Sequence, residues 1–359
     1  MATYDEAWAA TDVEPTDMTE LGLPTFVHFG HPAACTALTA AATEAGATVH
    51  HGAKVTDLSF GDRPTVSFRD VEGAEHRFAC RMIIGADGRA SAVRRRAGFM
   101  VRESPTLVSG GGVLVHGDSW PAELLALVTE GDLHYVIAPR AGANRLYVFC
   151  TPDVARARFS GSHRTAALLD AYHLRSVPFV GAFAHAVPAG PSAFFAMTDT
   201  WVDDPVRDGV ALVGDAAGWN NPLIGQGLAI ALRDVRHVVG VLTSNERWSP
   251  EEFHEYRDER RERMRRLRAT AFVDACISVS FDSAARERRA AFRDSLADPV
   301  ASAYVLGRAI GVDDLPAAAY EEDFIAEVVG RDHPYLDALP SFGLGTDHLA
   351  GRSEPSFSR

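Results

Sequence analysis

A chain of 359 residues with 47 % hydrophobic and 23 % charged residues has the apolar content for a folded core and room for more than one domain. Its formal net charge of −13 argues against nucleic acid or an anionic membrane surface as principal partner. There is no apolar run long enough for a transmembrane segment, the start is too acidic for a signal peptide, and Cys35, Cys80, Cys150 and Cys276 show no paired spacing; together these predict a cytoplasmic protein with buried free thiols.

Residues 1–23 are acidic, with no glycine before Gly22 and no strand-like run. Pro32 then opens a helix that Gly46 closes, with Ala34, Leu38, Ala42 and Ala45 on one face. Residues 48–50 read as a short strand, followed by three antiparallel strands at 54–60, 65–69 and 76–80 with turns at Gly61-Asp62 and Glu72-Gly73. The stretch RMIIGADGRASAVRRRAG adds a strand at 82–84, a Gly-Ala-Asp-Gly turn and a basic helix that Ser91 is placed to cap.

From about residue 106 to 200, strand signals dominate: GGVLVHG, LHYVIAPR, NRLYVFC and SAFFAMT, with a hairpin loop at 141–143 and one helical piece at 164–174. The glycine cluster at 110–112 lies between strand-like runs with no helix following, and reads as a β-turn or bulge. Tyr135, Tyr147, Phe194, Phe195 and Met197 are candidates for an apolar substrate wall, although an aromatic in an alternating strand is more often plain core.

VALVGDAAGWNNPLIGQGLAIALRDV follows. Its strand at 210–213 ends at Gly214 and puts Asp215 at the carboxyl end, where open α/β sheets bind ligands. Beyond Gly225 the period changes to a helical one, with an apolar stripe at Leu228, Leu232, Val235, Val239 and Leu242. Gly225 and Gly227 bare the backbone where that helix presents unpaired N–H groups, whereas an acidic residue at the loop's other end suits a hydroxyl. A ligand with both features looks like a nucleotide cofactor.

Next, Ser249, Pro250 and Glu252 form a capping box ahead of a helix whose narrow stripe is Phe253, Tyr256, Met264, Leu267 and Ala271. Interleaved Arg and Glu elsewhere on it predict a solvated helix with i, i+4 ion pairs. Helix is expected from about 282 to 330, then loop. His50-His51 and Asp199, Asp203 and Asp204 lack the partners of a metal site, and there is no G-x-S-x-G.

Two of these stretches carry a family resemblance. G-D-A-A-G-x-x-x-P-x-x-G-Q-G, residues 214–227, resembles the second FAD fingerprint of flavin-dependent monooxygenases of the p-hydroxybenzoate hydroxylase type. G-A-D-G-x-x-S-x-V-R, with Asp87, Gly88, Ser91 and Arg94 in place, resembles the same family's Asp-Gly segment. The resemblance implies an α/β (α+β) fold, the Rossmann-like two-dinucleotide-binding FAD fold, with an inserted antiparallel-sheet substrate domain and a helical carboxyl-terminal part. The expected boundaries are 1–104 and 201–248 for the two FAD-binding parts, 105–200 for the substrate domain and 249–359 for the rest. It further implies FAD, NAD(P)H as co-substrate, molecular oxygen, and hydroxylation of an aromatic or other apolar small molecule through a flavin C4a-hydroperoxide.

The cofactor contacts implied are His31, where many members have Arg, then Asp87, Gly88, Gly214, Asp215, Ala216, Ala217, Gly218, Pro222, Gly225, Gln226 and Gly227. In these roles Asp215 binds ribityl or ribose hydroxyls, Pro222 lines the reaction face, and the N–H groups around 225–227 face the flavin pyrimidine. Gly218 stands where aromatic hydroxylases often have His, and the G-D-A-A-G form also occurs among geranylgeranyl reductase-like FAD reductases and halogenases, so a reductase stays open. The halogenases' W-x-W-x-I-P is not in this chain. The family's opening strand, G-x-G-x-x-G and helix have no counterpart here. A third reading is therefore an N-terminally shortened, non-catalytic fragment that binds FAD weakly or not at all.

Overall fold

The computed structural model describes residues 1–6, 29–295, 304, 311–313 and 315–344. Nearly all of the acidic opening stretch therefore lies outside the described residues. The largest sheet has seven strands, in the order Ala2–Asp5, Ala126–Glu130, Leu133–Arg140, Ala143–Cys150, Ser109–His116 and Val187–Pro188, with Ala193–Ala196 also paired to Ser109–His116. The first pair is parallel and the others antiparallel. Leu133–Arg140 turns into Ala143–Cys150 at Ala141-Gly142, where Gly142 takes the positive φ of 72° that a two-residue hairpin needs.

Gly110, Gly111 and Gly112 sit inside a central strand of this sheet, not in a turn or bulge. A Cβ on Gly111 would stand 2.0 Å from the Ala193 carbonyl oxygen, and one on Gly110 would lie 2.4 Å from Met197 Cε. The missing side chains are what let Met197, Phe149, Phe194 and Tyr147 lie against the strand. On this sheet pack two short helices, Pro152–Arg158 and Arg164–Asp170, around a core that includes Trp120, Phe159, Leu168, Tyr172 and Phe183. Thr151 caps the first of them, with Pro152 at its start, a helix not expected from the strand-dominated reading of this region.

A second, smaller sheet carries the site. Ile83–Gly85 runs parallel to Val210–Leu212, and Val206–Arg207 closes antiparallel beside it. The three-stranded meander forms as expected at Lys54–Ser59, Thr65–Arg69 and Glu75–Ala79, but residues 48–50 are not a strand. Helix His31–Glu44 buries none of its residues, so the predicted face finds no cover among the described residues. No cysteine is bonded to another; Cys150 and Cys276 are buried, whereas Cys35 is exposed on that helix.

Helix Gly227–Ser244 begins where the glycines place it, yet it is turned the other way. Ile230, Asp234 and Val238 are its buried row, while Leu228, Leu232, Val235 and Val239 are 49 %, 55 %, 45 % and 48 % exposed. Helix His254–Ser278 also differs from expectation, being enclosed on almost every side. The i, i+3 and i, i+4 pairs are present, Glu259 with Arg263 and Glu262 with Arg265 and Arg266, but they are buried. The guanidiniums tolerate this because surrounding backbone takes their remaining donors: Arg265 reaches the Tyr320 and Leu344 carbonyls, Arg266 that of Leu315, and Arg268 that of Phe342. The capping box does not form; a 3-10 turn, Pro250–Phe253, leads in instead and Ser249 makes no side-chain cap. Of the tail, Ala285–Ser295 and Glu322–Val329 are helices. No described helix is long and apolar enough to cross a membrane.

Candidate functional site

The parallel pairing of Ile83–Gly85 with Val210–Leu212 brings two strand ends, and the turns that follow them, side by side. In the first turn, Gly88 has φ +76° and Asp87 folds back on its own helix. Its carboxylate accepts from Ser91 Oγ at 2.5 Å and from the Ala92 and Val93 N–H groups at 2.6 and 3.1 Å. Burial alone would raise its pKa, but these hydrogen bonds hold it below the ordinary value. Ser91 Oγ in turn accepts from Arg94 N at 2.9 Å, the cap its position predicted.

The second turn, residues 214–218, is gripped from two sides. Arg94 crosses to it and donates to the Ala216 and Asp215 carbonyls at 2.8 and 3.2 Å. From the opposite side Arg260 donates to the carbonyls of Gly214, Ala217 and Gly218 at 3.2, 3.4 and 3.5 Å. Every carbonyl of the turn thus faces a guanidinium. Asp234 completes the arrangement by accepting the Gly214 N–H at 2.8 Å and Arg260 Nε at 2.9 Å. Gly214 has φ +57° and lies against Ala231; Ala216 and Ala217 are fully buried.

Asp215 is the group left over. Its half-buried carboxylate shows no hydrogen bond from another described residue, and burial pushes its pKa up against the pull of Arg89 and Arg260. Downstream, Asp199 Oδ1 accepts from Asn220 Nδ2 and Asn221 N, each at 2.8 Å, and Asn221 Oδ1 caps the 3-10 turn Pro222–Ile224, on which Pro222 stays half-buried. Gly225 follows at φ +70°, Gln226 precedes the helix, and Gly227 begins it; a Cβ at either glycine would meet nothing within 4 Å. One loop, then, carries a carboxylate with no hydrogen bond from another described residue at Asp215 and a bare helix start at Gly225–Gly227. That donor set fits a flavin cofactor, whose hydroxyls donate and whose pyrimidine oxygens accept.

His31 is not drawn in. It opens an exposed helix with its ring 3.6 Å from Cys35 Sγ, and no hydrogen bond, ion pair or ring contact joins it to either turn among the described residues. The aromatic candidates separate. Tyr135 belongs to the sheet core against Tyr172, Phe194 stacks on Phe159, Met197 is buried, and Tyr147 lies between Arg145 and Phe149. Phe195 lies 6.2 Å from Trp219, beside the second turn, and Met197 shares a buried cluster with Trp219 and Leu223. The Arg89 guanidinium carbon lies 3.7 Å from the Trp219 ring centroid and 5.6 Å from that of Phe195. Asp203 and Asp204 pair with Arg102 and Arg257, and no cluster fit for a metal ion occurs among the described residues.

Sequence reasoning missed Asp234, Arg260, Arg263, Asp199 and the Arg89–Trp219 stack. One signal was there for the first. Asp234 occupies the place between Ile230 and Val238 in a row with helical spacing that is otherwise apolar, as a charge does when a buried partner awaits it.

Parallel strands ending in a Gly-Asp turn and an Asp-Gly turn, backed by a glycine-started helix, define a dinucleotide-type flavin-binding fold. Residues 4–271 match the family model described as FAD binding domain, and the chain belongs to that family. Among solved structures, it is similar to the aromatic hydroxylase CabE from angucycline biosynthesis, with 22 % identity over 79 % of this chain and 57 % of that one, at a TM-score of 0.63. It is also similar to OxyS, an anhydrotetracycline hydroxylase from Streptomyces rimosus, with 23 % identity over 78 % and 56 % and a TM-score of 0.58. The flavin-dependent brominase Bmp2 shares 15 % identity over 84 % and 74 %, with a TM-score of 0.63. The chain therefore spans a little over half the length of the two hydroxylases. No curated protein matches it.

Proposed function

We propose that the protein is a FAD-dependent monooxygenase that takes a hydride from NAD(P)H and places one atom of molecular oxygen on an aromatic or other apolar small molecule, the second atom leaving as water. The observation that carries this reading is the Asp215 carboxylate, with no hydrogen bond from another described residue beside a turn whose carbonyls are all occupied, on the same loop as the open backbone of Gly225 and Gly227. The hydroxylase neighbours support the choice of oxygen insertion over alkene reduction.

Bound FAD would supply hydride acceptance and oxygen activation. Asp215 would accept from a cofactor hydroxyl, and Gly214, Ala216, Ala217 and Gly218 would shape the turn that offers it. The N–H groups at the Gly225-Gln226-Gly227 helix start would receive the pyrimidine edge, where negative charge grows on reduction. Pro222 would line the reacting face, and the buried cluster of Val108, Phe149, Met197, Trp219 and Leu223 would keep water from it. Asp87 and Gly88 would act by holding their turn in shape. His31, at an exposed helix start, remains a proposed contact whose place depends on what covers that helix.

The test is reconstitution with FAD followed by turnover with NAD(P)H, oxygen and aromatic candidates. The reading expects a yellow protein, flavin affinity weakened in Asp215→Ala, and label from oxygen gas in the product. Saturation of an alkene without oxygen uptake would establish the reductase instead. A colourless protein after incubation with FAD would remove both.

A further inference from the structure

We infer that the buried Asp234–Arg260 pair, carried on the two helices beneath the site, is a positioning device that presets the 214–218 turn for its ligand. The inference rests on the flavin reading for the identity of that ligand but not for the device itself.

The placement is specific. Asp234 is fully enclosed on helix Gly227–Ser244, and its two oxygens are divided: one takes Gly214 N–H and Arg260 Nε, the other takes Arg263 Nη2 at 2.7 Å. Arg263 is bound again by Glu259, which also holds Arg233 at 2.7 Å. Arg260 is thus fixed at its carboxylate end, and its remaining donors fan out to Gly214, Ala217 and Gly218. Only a planar, forked cation spans carbonyls at the two ends of one turn; an ammonium of the same charge cannot.

Packing alone does not call for this. Ion pairs withdrawn from water lose much solvation, and apolar residues of equal volume fill such space as well or better. Asp234 and Arg260 have a consequence that Leu or Met would not: the Gly214 N–H and the Gly214, Ala217 and Gly218 carbonyls are held from one side, so the turn's backbone is committed while the Asp215 carboxylate has no hydrogen bond from another described residue. A turn already in its bound shape loses less entropy when the ligand arrives.

Arg260→Lys and Asp234→Asn test this, with Tyr256→Phe as comparison. Tyr256 is equally buried and donates to the Leu212 carbonyl at 2.6 Å, two residues before the turn begins, but donates to none of the turn's own carbonyls. Two measurements are made well below the melting temperature of each variant: hydrogen exchange of amides 214–218 in flavin-free protein, and the dissociation constant and visible band shape of added FAD. We expect Arg260→Lys to exchange about tenfold faster in the turn and to bind FAD about tenfold more weakly, the scale of one lost charge-assisted hydrogen bond. Its bound flavin should have an altered band shape, whereas Tyr256→Phe lowers the melting temperature and leaves both readouts at wild-type values. Should Arg260→Lys fail to fold, Asp234→Asn, isosteric but unable to hold Arg260 by charge, is read by the same criteria.

Unchanged turn exchange in the folded variant overturns the inference, as does Tyr256→Phe moving turn and flavin to the same extent. If wild-type protein takes up no flavin, the flavin reading fails, and exchange in the flavin-free turn still decides for or against the device.

Discussion

Gly218 is constrained on both counts that matter to a side chain. Its φ of +144° is one that L-residues rarely adopt, and a Cβ there would approach the Thr200 carbonyl oxygen to 2.6 Å and Trp201 Cα to 2.8 Å. The strand passing beneath explains why this chain lacks the His that aromatic hydroxylases often carry at the position. Gly218→Ala should cost about 2–4 kcal/mol, from strain plus backbone overlap, as read by urea denaturation; a loss under about 1 kcal/mol would show that the turn yields. Asp199 lends itself to a pH test. Burial raises its pKa from 3.8 to about 6, with the Asn221 N–H, Arg268 and Asn220 pulling the other way. A folded-state acid that holds its proton more tightly than the unfolded chain does makes stability fall as pH rises through that interval. The wild-type melting temperature should therefore decline between pH 4 and 6 by this contribution and level off above. Because both hydrogen bonds go to Oδ1, Asp199→Asn can keep them, and its melting profile should be flat over the same range.

At the scale of elements, periodicity told where helices run and not which way they face. In Gly227–Ser244 two rows qualify: the fully apolar one faces outward, and the one interrupted by Asp234 faces the core. Hydrophobicity favours the first, yet the row that faces the core is the one whose Asp234 meets Arg260 and Arg263 on His254–Ser278, partners invisible without the fold. The same reason hid the burial of that second helix, since Arg and Glu read as solvated until the carbonyls that receive them are known. The exposed row has a measurable effect. Apolar patches of this kind promote association, so Leu232→Glu with Val239→Lys should reduce concentration-dependent light scattering. The melting temperature should barely move, since each exposed site contributes within about 0.5 kcal/mol; a large loss would mean the row is covered. In the sheet, Gly111→Ala should detach Ala193–Ala196 from Ser109–His116, because the new methyl meets a carbonyl of the pairing partner, and near-ultraviolet dichroism of the nearby aromatics should report it.

For the molecule as a whole, the features legible beforehand are those whose chemistry is local. The Gly-Asp and Asp-Gly turns, the Ser91 cap, the meander and the Ala141-Gly142 hairpin each depend on a few neighbouring residues, and each lies where the residues put it. What stayed hidden was set by segments far apart in the chain: the guanidiniums that hold the 214–218 turn, the glycines in mid-sheet, and Asp199 beneath the Asn220-Asn221 backbone.

The parallel pairing of residue 83 with residue 210 also bears on how the chain acquires its shape. Those partners are separated by six of the seven strands of the large sheet, so their encounter closes a very long loop unless that sheet has already shortened the path. Refolding should accordingly proceed through an intermediate in which the amides of Leu133–Arg140 and Ala143–Cys150 are protected while residues 212–218 still exchange, an order that pulsed hydrogen labelling resolves. The 214–218 turn would then take shape only after the large sheet has formed.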